Sequence, residues 1–158
     1  MSWYVTHRVG GELHRGVLVE LFETAADLGL LVEANDVQAS TILESHRLNG
    51  DVSDLLSADG ALAFYESGHD EDSFPSLQAL CMRVEVPFVS VVDGDDEAGG
   101  STSWWKHGMD GIGTCLSDHD GQAVLTLESV KDAVADGSID RLIEESTIPV
   151  LTTVTIVD

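Results

Sequence analysis

The sequence predicts a three-layer α/β domain on a mostly parallel sheet of five strands. Apolar, β-branched runs that read as strands alternate with segments of helical periodicity. One run, Pro87-Phe88-Val89-Ser90-Val91-Val92, is nearly continuous in apolar character, as a strand buried on both faces is. The chain of 158 residues is 43% hydrophobic, which suffices for one domain with a sizeable core.

Residues 3–7, Trp3-Tyr4-Val5-Thr6-His7, are rich in aromatic and β-branched side chains and open the chain as a strand. Gly10-Gly11 breaks it. Leu13, Val17, Leu21 and Leu28 share a face with Leu18, Phe22 and Ala25, which predicts a helix over about residues 12–28 that Gly29 ends. Leu30-Leu31-Val32 is a short second strand. Residues 51–57 read as a helix leading into a third strand over 61–65. Ser73 caps the next helix, with Pro75 in its first turn and an apolar stripe of Leu77, Leu80, Cys81 and Val84.

The fourth strand is the apolar run ending at Val92. An acidic, glycine-rich stretch follows, and a mobile surface loop is expected near residues 93–103. Thr126 caps a helix carrying Leu127, Val130 and Val134, with Gly137 closing it. Ser138 opens a short helix to Glu145, and residues 149–157 form the last strand. No internal repeat interrupts this order, so residues 1–158 are read as a single domain.

The 29 Asp and Glu against 7 Lys and Arg give a formal net charge of −22. Only two of the cations, Lys106 and Lys131, are lysine. Such a chain should repel nucleic acid and anionic membranes, which bind cationic surfaces. The acids are interspersed along the chain, which favours halophilic adaptation to a salty cytoplasm. The competing reading is an acidic protein that imitates nucleic acid and binds a basic protein surface. In that reading Trp104-Trp105, adjacent tryptophans expected in a polar loop with one exposed, would anchor the partner. Equally, they would form a lid or subunit contact over a pocket.

No run of 18 apolar residues occurs, so no transmembrane helix is expected. The start, Met1-Ser2-Trp3-Tyr4, lacks the pattern of a secretory signal. Cys81 and Cys115 can form neither a disulfide framework nor a four-cysteine zinc site. These features predict a reduced, cytoplasmic protein. No cofactor and no metal is expected, because His7 with His14, and His107 with Cys115 and His119, lack ligand spacing.

In a parallel α/β sheet, ligands sit beyond the carboxyl ends of the strands. That rule places Thr6-His7, residues 66–72 and Asp93 onward at the site. The acidic loop from Ser67 to Ser73, with Glu66 before it and Glu71 and Asp72 within it, can hold sugar hydroxyls or a base edge. It can equally be a solvated loop. Gly10-Gly11 can approach a phosphate but lacks the dinucleotide fingerprint, and Glu12 follows it. An uncharged nucleoside therefore fits better than a nucleotide. Cys81 reads as a core residue on its helix stripe. No Gly-x-Ser-x-Gly elbow occurs.

The unit Ala58-Asp59-Gly60-Ala61-Leu62-Ala63-Phe64-Tyr65, followed by Asp72-Ser73-Phe74-Pro75-Ser76-Leu77-Gln78-Ala79-Leu80, resembles the nucleoside 2-deoxyribosyltransferases. That family has a strand, an acidic loop, and an Asp-Ser pair opening a helix. The resemblance implies a flavodoxin-like sandwich, binding of a nucleoside, exchange of its base through a covalent sugar–enzyme intermediate, and assemblies that complete each other's sites. It implies that Tyr4 orients the nucleophile, that Asp51 or Asp54 contacts the base, and that Asp72 positions the ligand. Six residues beyond Asp72, where the family has its nucleophilic glutamate, stands Gln78. A neutral amide is a far poorer nucleophile. Base transfer or hydrolysis would then be weakened or lost, unless Glu71 or Asp72 takes over.

Overall fold

The computed structural model describes residues 3–68, 74–93 and 100–158. The opening strand is β1 (Trp3–Val9), followed by the short β2 (Glu12–His14) and helix α1 (Arg15–Asp27). The paired strands β3 (Leu31–Val32) and β4 (Val37–Gln38) lead into α2 (Ala39–Glu44). Two 3-10 turns, Arg47–Asn49 and Ser53–Leu55, precede β5 (Leu62–Gly68). Helix α3 (Pro75–Arg83) joins the described chain to β6 (Phe88–Asp93). Then come β7 (Gly100–Trp105), β8 (Gly113–Ser117), β9 (Ala123–Val124), α4 (Leu127–Asp136), α5 (Ile139–Glu145) and β10 (Thr155–Val157).

The expected flavodoxin-like sandwich with a mostly parallel five-stranded sheet is not what forms. Eight strands make one sheet in the order β4-β3-β5-β1-β6-β7-β8-β9, with every adjacent pair antiparallel. The parallel pairing lies outside it, where β10 adds to β2 in a two-stranded sheet. The physical reason is one of pairing rather than of element type. β5 and β6 do run parallel and are joined through α3, but β1 lies between them, antiparallel to both. Likewise β1 and β3 run parallel around α1, with β5 between them. The four strands in order β3-β5-β1-β6 are thus two interleaved split βαβ units, the connectivity of a ferredoxin-like α+β fold. Apolar periodicity reports burial of a strand but not the direction of its neighbour.

Helices α1, α2 and α3 cover one face of the sheet. Leu18, Leu21, Phe22 and Ala25 of α1 and Leu77, Leu80 and Cys81 of α3 are buried against Val5, Val9, Leu62, Phe64 and Phe88. The edge of Phe22 meets the ring of Phe64 at 5.1 Å between centroids. α1 is shorter than its periodicity implies, because residues 12–14 pair with β10 before the helix starts.

The last strand is correspondingly shorter than residues 149–157. What precedes it is seated by glycine. A Cβ on Gly10 would lie 2.4 Å from the Thr152 carbonyl oxygen, and Gly11 N–H donates to that oxygen at 3.0 Å. The diglycine turn therefore serves the approach of the C-terminal segment.

β7 occupies ground expected to be loop, and β8 and β9 follow in a stretch to which the sequence assigned no element. Of the loop expected near 93–103, Asp93 belongs to β6 and residues 100–103 to β7, and residues 94–99 lie outside the described residues. Trp104 and Trp105 also belong to β7 and are both buried. Neighbouring strand residues point to opposite faces, so their joint burial means that both faces are covered there. No described helix is long and apolar enough to cross a membrane.

Candidate functional site on the open face of the sheet

β1 alternates its side chains across the sheet. Val5, His7 and Val9 point to the helices, while Tyr4, Thr6 and Arg8 point to the other face. On that second face lies a cleft of about 380 Å³, floored by Tyr4, Thr6, Arg8 and Val91. Glu33 and Asp59 close it at the Arg8 end. Asp93 and the turn His119-Asp120-Gly121 close it beside Tyr4.

Arg8 ties the first end together. Its guanidinium bonds Glu33 at 3.2 Å and also pairs with Asp59. Burial works to raise the Asp59 carboxyl, but the Ala61 N–H and Arg8 outweigh it and hold the group below its ordinary value. At the other end His119 Nδ1 lies 2.8 Å from Asp93 Oδ1.

Tyr4 stacks on Tyr65 of β5, with ring centroids 5.3 Å apart and planes inclined by 30°. The Tyr65 hydroxyl donates to Asp36 Oδ1 at 2.5 Å. Asp36 reaches it from the β3–β4 turn, where its φ of 55° is left-handed, a conformation aspartate tolerates. The hydrogen bond to Asp36, with burial second, pushes the Tyr65 phenol up to about 12. Burial, then the nearby Glu33, raises Tyr4. Both phenols therefore stay protonated across the physiological range. The site offers a planar aromatic platform, two phenols, and carboxylates that accept hydrogen bonds.

Of the residues singled out by sequence, Tyr4, Thr6 and Asp93 line this cleft. His7 is fully buried on the helix side of the sheet, not at a ligand edge. Its Nδ1 lies 2.6 Å from Ser90 Oγ, its Nε2 lies 3.5 Å from Cys81 Sγ, and its ring packs on Phe88. Burial alone lowers its pKa to about 3, so the imidazole is neutral. The Cys81 thiol is pushed up to about 12 by burial and holds no thiolate at neutral pH.

Gln78 sits one turn before Cys81 on α3, buried, with its Nε2 unpartnered. Because α3 contacts His7, Gln78 and Tyr4 lie on opposite sides of the sheet. Glu66 pairs in register with Val5 and shares the helix side. Asp51 is exposed and accepts the Ser53 N–H at 2.9 Å, which lowers its carboxyl and shapes the 3-10 turn. Asp54 pairs with Arg47. Glu71 and Asp72 lie outside the described residues.

Sequence reasoning missed Arg8, Glu33, Asp36, Asp59, Tyr65 and His119 as site residues. One local signal existed: Tyr4-x-Thr6-x-Arg8 is a period-2 polar face on a strand whose other face is apolar or histidine. The acids around it come from three separate turns and carry no common spacing. Among the described residues, no group of three or more His, Cys, Asp or Glu is placed to hold a metal ion. The fold and cleft define an α+β domain with an aromatic, acid-rimmed pocket on its open sheet face. Compared with protein-family models, curated proteins and solved structures, the chain gives no match.

Proposed function

We propose that this chain is a binding module for an uncharged nucleoside or a close chemical relative, held with its base on Tyr4. The observation that carries the reading is the Tyr4–Tyr65 stack, set on two adjacent central strands of the open face. Sheet-face modules that stack bases use aromatics on central strands in this way; the parallel is one of architecture. The rim argues for a free nucleoside over a polyanion, since Glu33, Asp59, Asp93 and Asp120 face the single guanidinium of Arg8. Those carboxylates suit ribose hydroxyls, which donate. Among the described residues, Tyr4 and Gln78 are separated by the sheet, which does not favour glycosidic transfer between them.

A thermal-shift series tests the reading with adenosine, uridine, their 5′-monophosphates and the free bases, at low and high potassium chloride. Nucleosides are expected to raise Tm, and monophosphates to act more weakly at low salt. Tyr4→Ala should remove the shift and Tyr4→Phe should keep it. No shift from any nucleoside in the folded chain contradicts the proposal.

The reading as an acidic interaction module draws on a different observation. Leu127, Val134 and Ile143 of the last two helices are 69%, 64% and 54% exposed. The expected Trp104-Trp105 anchor is buried, so a basic partner would have to engage these side chains instead. Capture of such a partner should weaken steeply as salt rises.

A further inference from the structure

A second cavity opens on the same sheet face, one strand away from the cleft. The cross-strand row runs Arg8, Val89, Trp104, Gly113, and the buried Val89 lies between the two sites. The cavity measures about 800 Å³, in the range of ~300–1,000 Å³ typical of small-molecule sites. Trp104 is its floor, with Met109 and Ile112 beside it and α5 along its rim. The floor is specified by the sequence: a Cβ on Gly113 would lie 2.6 Å from the Trp104 ring, so glycine is what lets the indole lie against β8.

The cavity stands apart by its charge. Seven Lys and Arg must serve a chain of 29 acids, yet two of them, Lys106 and Arg141, line this one space. Arg141 is held by Glu145 on its own helix at 2.8 Å. Arg8, Arg15, Arg47 and Arg83 are likewise tied to carboxylates. Lys106 makes no ion pair among the described residues. α5 buries none of its own side chains, so the helix borders the space without filling it.

An ammonium beside an indole and aliphatic walls recognises a negative group carried on an apolar body. Glu144, also on the rim, disfavours a second negative charge. We propose that this cavity binds an organic monocarboxylate with an aromatic or branched apolar body. The carboxylate sits on Lys106 and the body lies on Met109 and Ile112, against the small edge that the buried Trp104 indole leaves open. The site is independent of the nucleoside cleft and does not rest on that reading.

The test uses three probes with one body: 3-phenylpropionate, 3-phenylpropan-1-ol and 3-phenylpropylamine. Each is titrated into the full chain at the lowest potassium chloride concentration that keeps it folded. Affinity is read from the Trp104 indole N–H resonance, assigned by its loss in Trp104→Phe. The propionate is expected to move that resonance saturably and to bind at least fivefold more tightly than the alcohol, with the amine weakest. Lys106 is exposed, so Lys106→Glu should fold and should lower propionate affinity at least tenfold. Lys106→Arg and Tyr4→Ala should leave it nearly unchanged. Equal binding of the three probes, no saturable shift with the propionate, or full affinity in Lys106→Glu would overturn the proposal.

Discussion

Tyr4 and Tyr65 stack diagonally across the β1–β5 pair, 5.3 Å between ring centroids, on the sheet face away from the helices. In register Tyr4 faces Ser67 and Tyr65 faces Thr6, so the two rings meet as diagonal neighbours. Tyr65 is fixed by its bond to Asp36, and Tyr4 leans on Tyr65 while staying 40% exposed. An exposed ring held in place by a buttressed one loses little entropy when a second planar ring lies on it.

The two phenols are the only tyrosines in the chain, so their ionisation can be read directly by absorbance at 295 nm. Both are raised, Tyr65 to about 12 through Asp36. A raised folded-state pKa on a phenol means stability that is present below ~10, the unfolded value, and is lost as pH climbs through the folded value. In the folded chain both phenolate steps should fall at higher pH than in the unfolded chain, the Tyr65 step near 12, and Asp36→Asn should bring the Tyr65 step down.

His7 has the opposite sign. Its folded pKa of about 3 lies below that of an unfolded histidine, so the unfolded chain takes up a proton that the folded chain refuses. The stability this contributes is complete above ~6.5 and falls by about 1.4 kcal/mol per pH unit below it. That loss continues until the pH reaches about 3, where the folded imidazole itself protonates. Urea titrations across this window should show a shallower acid limb in His7→Asn than in the native chain.

Gln78 carries a buried amide nitrogen with no partner. An unsatisfied buried donor costs ~1–3 kcal/mol. Gln78→Met, similar in shape and without the donor, should raise stability by about 1 kcal/mol. Gln78→Glu should lower it, by burying a carboxyl, and should produce no base exchange. A gain of transferase turnover in Gln78→Glu would restore the catalytic reading.

Gly113 is the seat of Trp104. Gly113→Ala places a methyl 2.6 Å from the indole, an overpacking that should cost ~1–3 kcal/mol. The Trp104 indole resonance should move, and denaturant midpoints should fall. Gly111→Ala, with nothing near its Cβ, is the matched control.

The elements were more legible than their pairing. Helices α1, α3 and α4 stand close to where their apolar spacing puts them, and Thr126 caps α4 by accepting the Ser129 N–H at 3.1 Å, with Gly137 left-handed behind it. The alternation of β5, α3 and β6 was readable as a crossover unit. The insertion of β1 into it was not, because a strand's apolar pattern is the same beside a parallel or an antiparallel neighbour. β7 was hidden for another reason: Gly100-Ser101-Thr102-Ser103 is small and polar, and its burial comes from the strands around it rather than from its own hydropathy. In the cleft Tyr4, Thr6 and Asp93 were named from the sequence, Tyr4 as a residue that orients a nucleophile rather than as a stacking ring. Glu33, Asp36 and Asp59 were not, since they meet only when two turns, the β3–β4 turn and the turn before β5, converge over the open face.

Saturation-transfer NMR between the protein and adenosine tests the nucleoside reading most directly. Irradiation of the protein's aliphatic methyl resonances should transfer most strongly to the base protons H2 and H8, less to the ribose protons, and should vanish in Tyr4→Ala but persist in Tyr4→Phe. Transfer that is absent in the folded native chain, or that survives unchanged in Tyr4→Ala, would contradict a base seated on Tyr4.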